Sequence, residues 1–290
     1  MTRRGNRRVI FTADDFGLDP AVNAAVESAH RDGVLNTASL MVGARAAADA
    51  VARARTMPGL HVGLHLTLVD GCPVLPAQQV PDLVDSSGHF AADLWWRGVR
   101  YFFIPRVRRQ LAAEIRAQFA AFQATGLVLD HANAHKHLHL HPTVLSLMLR
   151  IGREFGLRAV RLPWEPLAAA RCGGAKGLAP ALWSLFLSPW LRLMRRRLRR
   201  FGMVHNDALF GLTSTGVMDK AALLRALACI PEGSSEIYFH PALARSALLQ
   251  ALMPTYRHDA EWAALCSPEI AQYLQAQHIQ KVHFSDLVAH

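Results

Sequence analysis

Short apolar runs that end in polar residues alternate with helical segments along most of the chain, and this alternation constrains the fold more than any other feature. Arg8–Ala13 (RVIFTA) reads as a buried strand running into Asp14-Asp15-Phe16-Gly17. Asp19-Pro20 then supplies an N-cap and a first-turn proline for a helix reaching about Arg31. Thr37–Val42 reads as a second strand, Ala44–Thr56 as a helix stopped by Pro58-Gly59, and Leu60–Leu68 as a third strand. Residues 70–90, rich in Pro, Gly and Asp, read as a long loop. The pattern then predicts a helix over Val107–Thr125, a strand over Leu127–Asn133, a helix from Pro142 to about Phe155 and a strand over Leu157–Leu162. Further on it predicts a helix over Asp219–Cys229, a strand over Ser234–Phe239, helices over Ala260–Leu265 and Pro268–Gln277, and a last strand over Ile279–Phe284. Strands separated by helices call for parallel pairing through right-handed crossovers. No glycine-rich dinucleotide fingerprint follows the first strand. The expected fold is therefore α/β, an irregular (β/α) barrel of TIM-barrel type with about seven parallel strands, and an open doubly wound sheet is the alternative. One domain over residues 1–290 is expected, with 166–206 as a helical insertion in it.

In such folds chemistry is done at the C-terminal ends of the strands. Four polar clusters fall at these ends: Asp14-Asp15, His61/His65, Asn133 to His141, and Glu236/His240. The third is the densest, with five of the chain's 15 histidines in His131–His141. Neutral imidazole is the commonest protein metal ligand. Adjacent carboxylates at a strand exit can divide the labour, one ligating a metal and the other taking a proton; as a turn or cap the same pair would be unremarkable. His61 and His65 share a strand face, with His65 nearer the exit, and His61 reads more simply as a core residue. One carboxylate with two imidazoles leaves open coordination positions, the layout of a catalytic metal site. His240 is the natural candidate for protonating a leaving group.

Composition narrows the remaining options. With 51% hydrophobic and 19% charged residues the chain is globular. Its four cysteines follow no CxxC pattern, so reduced thiols and a cytoplasmic location are expected, with no cysteine-type zinc site. The basic N-terminus leads straight into a strand and does not read as a signal peptide, and no apolar run is long enough to span a membrane.

Taken together, four motifs resemble the YdjC-like carbohydrate deacetylases, relatives of the NodB-type polysaccharide deacetylases. They are Ala13-Asp14-Asp15-Phe16-Gly17, Gly63-Leu64-His65-Leu66, the run His135 to Pro142, and Phe239-His240-Pro241, in matching order over roughly residues 8–163 and 218–285. The resemblance implies one divalent metal ion, zinc or magnesium, held by Asp15, His65 and His135, with Asp14 as general base and His240 on the acid side. The implied reaction is hydrolysis of the N-acetyl group of an acetamido sugar. Asn133, His137, His139, Arg161, Trp164 and Glu236 become candidates for substrate contact, while His141 could equally begin a helix. Many members carry Asp-Ser where this chain has Asn133-Ala134. A catalytically silent glycolipid-binding barrel and a metal phosphoesterase are the competing classes.

The net charge of +10 is concentrated in two stretches. Residues 166–206 hold eight Lys or Arg and residues 94–109 hold five Arg, neither with an acid, so the rest of the chain is slightly acidic. In the first, Trp183 and Trp190 stand beside Arg195, Arg196 and Arg197 among leucines, a pattern suited to an anionic membrane surface. No nucleic-acid recognition motif accompanies it. The motif Asn133-Ala-His-Lys-His-Leu-His-Leu-His-Pro142, followed by Val160-Arg-Leu-Pro-Trp-Glu165, resembles the hopanoid-biosynthesis branch of the family. That branch implies an N-acetylglucosaminyl lipid as substrate and peripheral attachment to the inner membrane face. Oligomeric state stays open, a homodimer being one option.

Overall fold

The structure, a computed structural model, describes residues 6–90, 94–172, 174 and 179–288, with the side chains of residues 94, 95, 97 and 179–185 outside that description. Its elements in chain order are β1 (Arg7–Phe16), α1 (Pro20–Arg31), β2 (Thr37–Leu40), α2 (Ala47–Arg55), β3 (His61–Leu66), α3 (Leu94–Phe103), α4 (Pro105–Ala124), β4 (Ala132–Ala134), α5 (Pro142–Glu154), α6 (Leu167–Cys172), α7 (Ala179–Arg200), β5 (Ala208–Phe210), α8 (Lys220–Ala228), β6 (Gly233–Phe239), α9 (Ala247–Leu252), α10 (His258–Leu265), α11 (Pro268–Ala276), β7 (Gln280–Lys281) and α12 (Phe284–Val288).

The sheet runs β4-β3-β2-β1-β6-β5, with β7 on the early part of β1, and every strand pairing is parallel. It curls into a half-barrel with helices outside. Single bridges Ala132↔Val160 and Ala159↔Val204 span the gap from β4 back toward β5. β1 lies between β2 and β6 with Val9, Ile10, Phe11 and Ala13 fully buried, which is why its sequence is a continuous apolar run rather than an alternating one. The helix starts follow local chemistry. Asp19 accepts the Ala21 N–H and Asp219 accepts the Ala222 N–H.

Four sequence expectations change, the first being that the strand expected over Leu127–Asn133 shrinks to Ala132–Ala134. Leu157–Leu162 forms only the two bridges. Leu162 gives its N–H to Asn206 Oδ1 at 2.7 Å and its carbonyl accepts from Asn206 Nδ2 at 2.9 Å, so a side-chain amide takes the place of a strand ladder. Ile279–Phe284 contracts to Gln280–Lys281 before Phe284 opens α12. The cysteines are not all reduced: Cys172, closing α6, forms a disulfide with Cys229, just after α8, because those helices pack together across 57 residues of sequence. Cys72 and Cys266 are free. Among the described residues no helix is long and apolar enough to cross a membrane.

Candidate active site

The site begins with an irregularity in β1. The register against β2 shifts between Ala13 and Phe16, and Asp15 sits at φ 61°, in the left-handed region. Neighbouring residues of a regular strand face opposite sides. The bulge instead lets both carboxylates approach His65, with Asp14 Oδ1 3.9 Å from its Nδ1 and Asp15 Oδ1 3.2 Å from its Nε2. Gly17 makes the turn possible: φ is +96°, and a Cβ there would stand 3.2 Å from Met41 O.

β3 carries His65 into register with Asn133 of β4. Gly63 permits the approach of His131, whose ring would lie 2.4 Å from any Cβ at that position. After β4 the chain enters a tight 3-10 segment in which Lys136 and His137 adopt φ of 50° and 52°. The segment turns His135 Nδ1 to 2.9 Å from Asp15 Oδ1 and 3.3 Å from His65 Nε2. His65 Nε2 faces this cluster, while its Nδ1 lies 2.6 Å from the Asn133 side-chain amide, which fixes the ring. The other end of that amide lies 2.9 Å from Ser39 Oγ and 3.0 and 3.1 Å from the Arg161 guanidinium nitrogens.

Asp15, His65 and His135 thus bring three ligand atoms together in a buried place. Their separations of 2.9, 3.2 and 3.3 Å lie at or just below about 3.3 Å, the spacing of tetrahedral corners at metal bonds of 2.0–2.1 Å. Asp15 is 1% exposed and has no hydrogen-bond donor on either oxygen besides those imidazoles. A buried carboxylate left so bare, facing two imidazole nitrogens, fits a divalent cation.

Asp14 has different company. Its oxygens accept from Arg161 at 2.6 and 2.9 Å, and the same guanidinium donates to Glu236 at 3.0 and 2.7 Å. Thr12 Oγ1 adds a bond to Glu236. Burial alone would raise the Asp14 carboxyl, but the Arg161 cation, helped by His65, holds it well below the usual carboxylate range. Arg161 and Glu236 are both fully buried, so they lie behind Asp14 and do not reach substrate. Asn133, also fully buried, orients His65 in the same indirect way.

His240, at the exit of β6, faces the metal cluster across a cleft of about 230 Å³. Asp14, His65, His135, Lys136, His137, Tyr238 and Tyr256 line the same cleft, closed by Leu18, Leu212, Leu252 and Met253. The His240 ring lies between Tyr238 and Tyr256, with centroids 5.6 and 5.0 Å away. The His240 backbone N–H donates to Glu261 and the backbone carbonyl accepts from His258. Burial lowers the His240 imidazole to about 4 against the pull of Asp15 and Asp14, so it is neutral at pH 7, with no partner on Nδ1. Burial also raises Glu261 to about 7.

The other expected residues disperse. His131 is buried between Ser39 and Asp130, and His61 bonds Asp130 and Ser285 away from the cleft. His139, fully buried, donates to the Arg161 carbonyl and does not line the cleft, while His141 caps α5 through the Thr143 N–H. Trp164 lies under Arg195, 5.0 Å from its guanidinium, and is likewise absent from the cleft. Trp190 donates to the Leu140 carbonyl, Arg195 to the Asp207 carbonyl and Arg197 to Ser146, so these three turn toward the protein. Arg196 is exposed, and the Trp183 side chain lies outside the described residues. Tyr238, two residues before His240 on the same strand face, follows from strand alternation. Tyr256, Lys136 and Glu261 carry no comparable signal.

A parallel βα half-barrel that gathers a carboxylate and two imidazoles at its strand exits, with a second carboxylate and imidazole on the same cleft, has the build of a metal-assisted hydrolase. The YdjC-like protein family model matches residues 8–276, and the chain belongs to that family. It is 33% identical over 280 residues to a carbohydrate deacetylase of Brevibacillus brevis, covering 97% of this chain and 99% of the relative. A carbohydrate deacetylase of Vibrio cholerae is 36% identical over 150 residues, covering 51% of this chain and 56% of the relative. In fold, the chain is similar to a crystal structure from Enterococcus faecalis V583, of a protein assigned to cellobiose-phosphate cleavage, with a TM-score of 0.74 at 24% identity, covering 97% of this chain and 99% of that one.

Proposed function

We propose that the protein is a metal-dependent deacetylase that hydrolyses the N-acetyl group of an acetamido sugar. The observation that carries this is the convergence of Asp15, His65 and His135 in a cleft shared with Asp14 and His240. A divalent cation held there supplies a Lewis acid that polarises the acetyl carbonyl and makes a neighbouring water more acidic. Asp14, fixed as an anion by Arg161, accepts a proton from the attacking water. The water oxygen first bonds to the acetyl carbon; the C–N bond then breaks as His240 hands a proton to the nitrogen, releasing acetate and the free amine. The resting His240 ring is neutral, so the proton it passes on is the one Asp14 takes from the water, and both groups end the cycle as they began it. Asn133 and Arg161 hold His65 and Asp14 in place without touching the sugar.

The finer reading is an N-acetylglucosaminyl lipid of the hopanoid type, reached at a membrane surface. Supporting it, α7 exposes the apolar Phe186 and Leu193 together with Arg192, Arg196, Arg199 and Arg200, and α3 exposes Trp96, Phe102 and Phe103. Mass spectrometry of an N-acetylglucosaminyl lipid incubated with the protein, with and without chelator, tests both parts. Loss of the acetyl group that chelator abolishes is expected. Deacetylation of free sugars alone would remove the lipid, and phosphate release without acetate would remove the reaction.

A further inference from the structure

We propose that a second chamber beside the catalytic cleft is the seat of an apolar group carried by the substrate sugar. This rests on the deacetylase reading and adds where, and by what chemistry, the rest of the substrate is held. The chamber encloses about 330 Å³. Leu18, Asp70 and Leu252 stand in the walls of both spaces, so the two are divided by one thin partition. On the catalytic side the lining is dense in imidazole, carboxylate and phenol. On the far side it is apolar, formed chiefly by Met41, Ala44, Phe90 and Leu248.

Most polar groups of that chamber are committed elsewhere or peripheral, Asp70 being paired with Lys136. Thr67 is already occupied: its hydroxyl donates to the His65 carbonyl, and its N–H donates to Gln118. Arg45 and His89 are exposed and stand at the rim. A hydroxyl-rich ring placed inside would leave its donors and acceptors unpaired. An apolar aglycone would lose nothing there and would shed its contact with water.

The partition itself is polar on one flank. Asp70, held at φ 50°, pairs with Lys136, the residue following the candidate ligand His135. A substrate lying across it would keep its sugar among the polar groups and extend its apolar end past Leu18 and Leu252. This assigns recognition of the aglycone to the loops after β2 and β3 and to α9.

Calorimetric titration of the metal-loaded protein with N-acetylglucosamine, its octyl β-glycoside and N,N′-diacetylchitobiose tests the assignment, with acetate release followed on the same three compounds. The octyl glycoside is expected to bind at least about tenfold more tightly than the free sugar, the gain from burying two methylene groups. Leu248→Asp and Ala44→Phe, which polarise or fill the second chamber alone, are expected to shrink that ratio toward one. Equal binding of octyl glycoside and free sugar, stronger binding of the disaccharide, or a ratio untouched by both variants would overturn the proposal. Absence of acetate release from every compound refutes the deacetylase reading, while the binding ratio still decides the chamber's role.

Discussion

Replacing Arg161 with methionine puts the Asp14 assignment under the most direct strain. The substitution keeps an unbranched apolar stem and deletes the charge. One guanidinium supplies four hydrogen bonds of 2.6–3.0 Å to two carboxylates, with side-chain exposures of 0% for Arg161, 3% for Asp14 and 0% for Glu236. Breaking a buried pair by removing one partner costs about 3–5 kcal/mol. Two orphaned carboxylates place this variant at the upper end, a fall of roughly 8 °C in midpoint. With the cation gone, burial pushes the Asp14 carboxyl upward, so turnover at pH 7 should collapse and partly return at higher pH. Adding Glu236→Gln removes one of the two stranded charges. The double variant should therefore regain stability in urea denaturation without regaining acetate release. If Arg161→Met unfolds within about 1 kcal/mol of wild type, or if the double variant recovers activity along with stability, the guanidinium is not what keeps Asp14 anionic.

Further outcomes follow from the same geometry. Asp14→Asn should lose turnover while metal analysis still finds one ion per chain, whereas His135→Ala should lose the ion; metal loss in Asp14→Asn would move Asp14 into the ligand set. Cys172→Ser opens a link across 57 residues and should cost about 4 kcal/mol by loop entropy, seen as a lower urea midpoint that reductant reproduces in wild type. His139 and His240, lowered by burial to about 3 and about 4 from 6.5, stay neutral when folded, so the stability they hold above pH 6.5 is lost as pH falls toward those values, on the order of 3 kcal/mol for His240. Glu261, raised by burial from 4.5 to about 7, works the other way, stabilising below pH 4.5 and losing that contribution as pH rises to 7. Glu261→Gln should therefore steepen the loss of stability between pH 7 and 4.5, and a profile parallel to wild type would exclude this role.

Much of the barrel is legible from apolar runs and their exits, because β1, β3 and β6 are long enough for a buried run or an alternation to show. Where legibility fails, the deciding partner is remote. Leu157–Leu162 has a strand's composition, yet Asn206, 44 residues on, takes the hydrogen bonds of Leu162. β5 spans three residues, too few to carry a period. The disulfide is hidden for the same reason, since the spacing of Cys172 and Cys229 says nothing about α6 meeting α8.

The site shows the same division at finer scale. Ideal strand alternation would send Asp14 and Asp15 to opposite faces, and nothing in the dipeptide distinguishes ligand from base. The distinction arises when the bulge at Asp15 turns both carboxylates to one end and the fold gives each a different partner. Asp15 receives only imidazoles, which leaves its oxygens for a cation. Asp14 receives Arg161, which keeps it charged but occupies both its oxygens. Arg161 falls in the broken strand Leu157–Leu162, and its side chain, buried whole, joins Asp14 on β1 to Glu236 on β6. Two chemically identical neighbours thus take different tasks through a guanidinium 147 positions away, so the role of Asp14 depends on closing the barrel around Arg161.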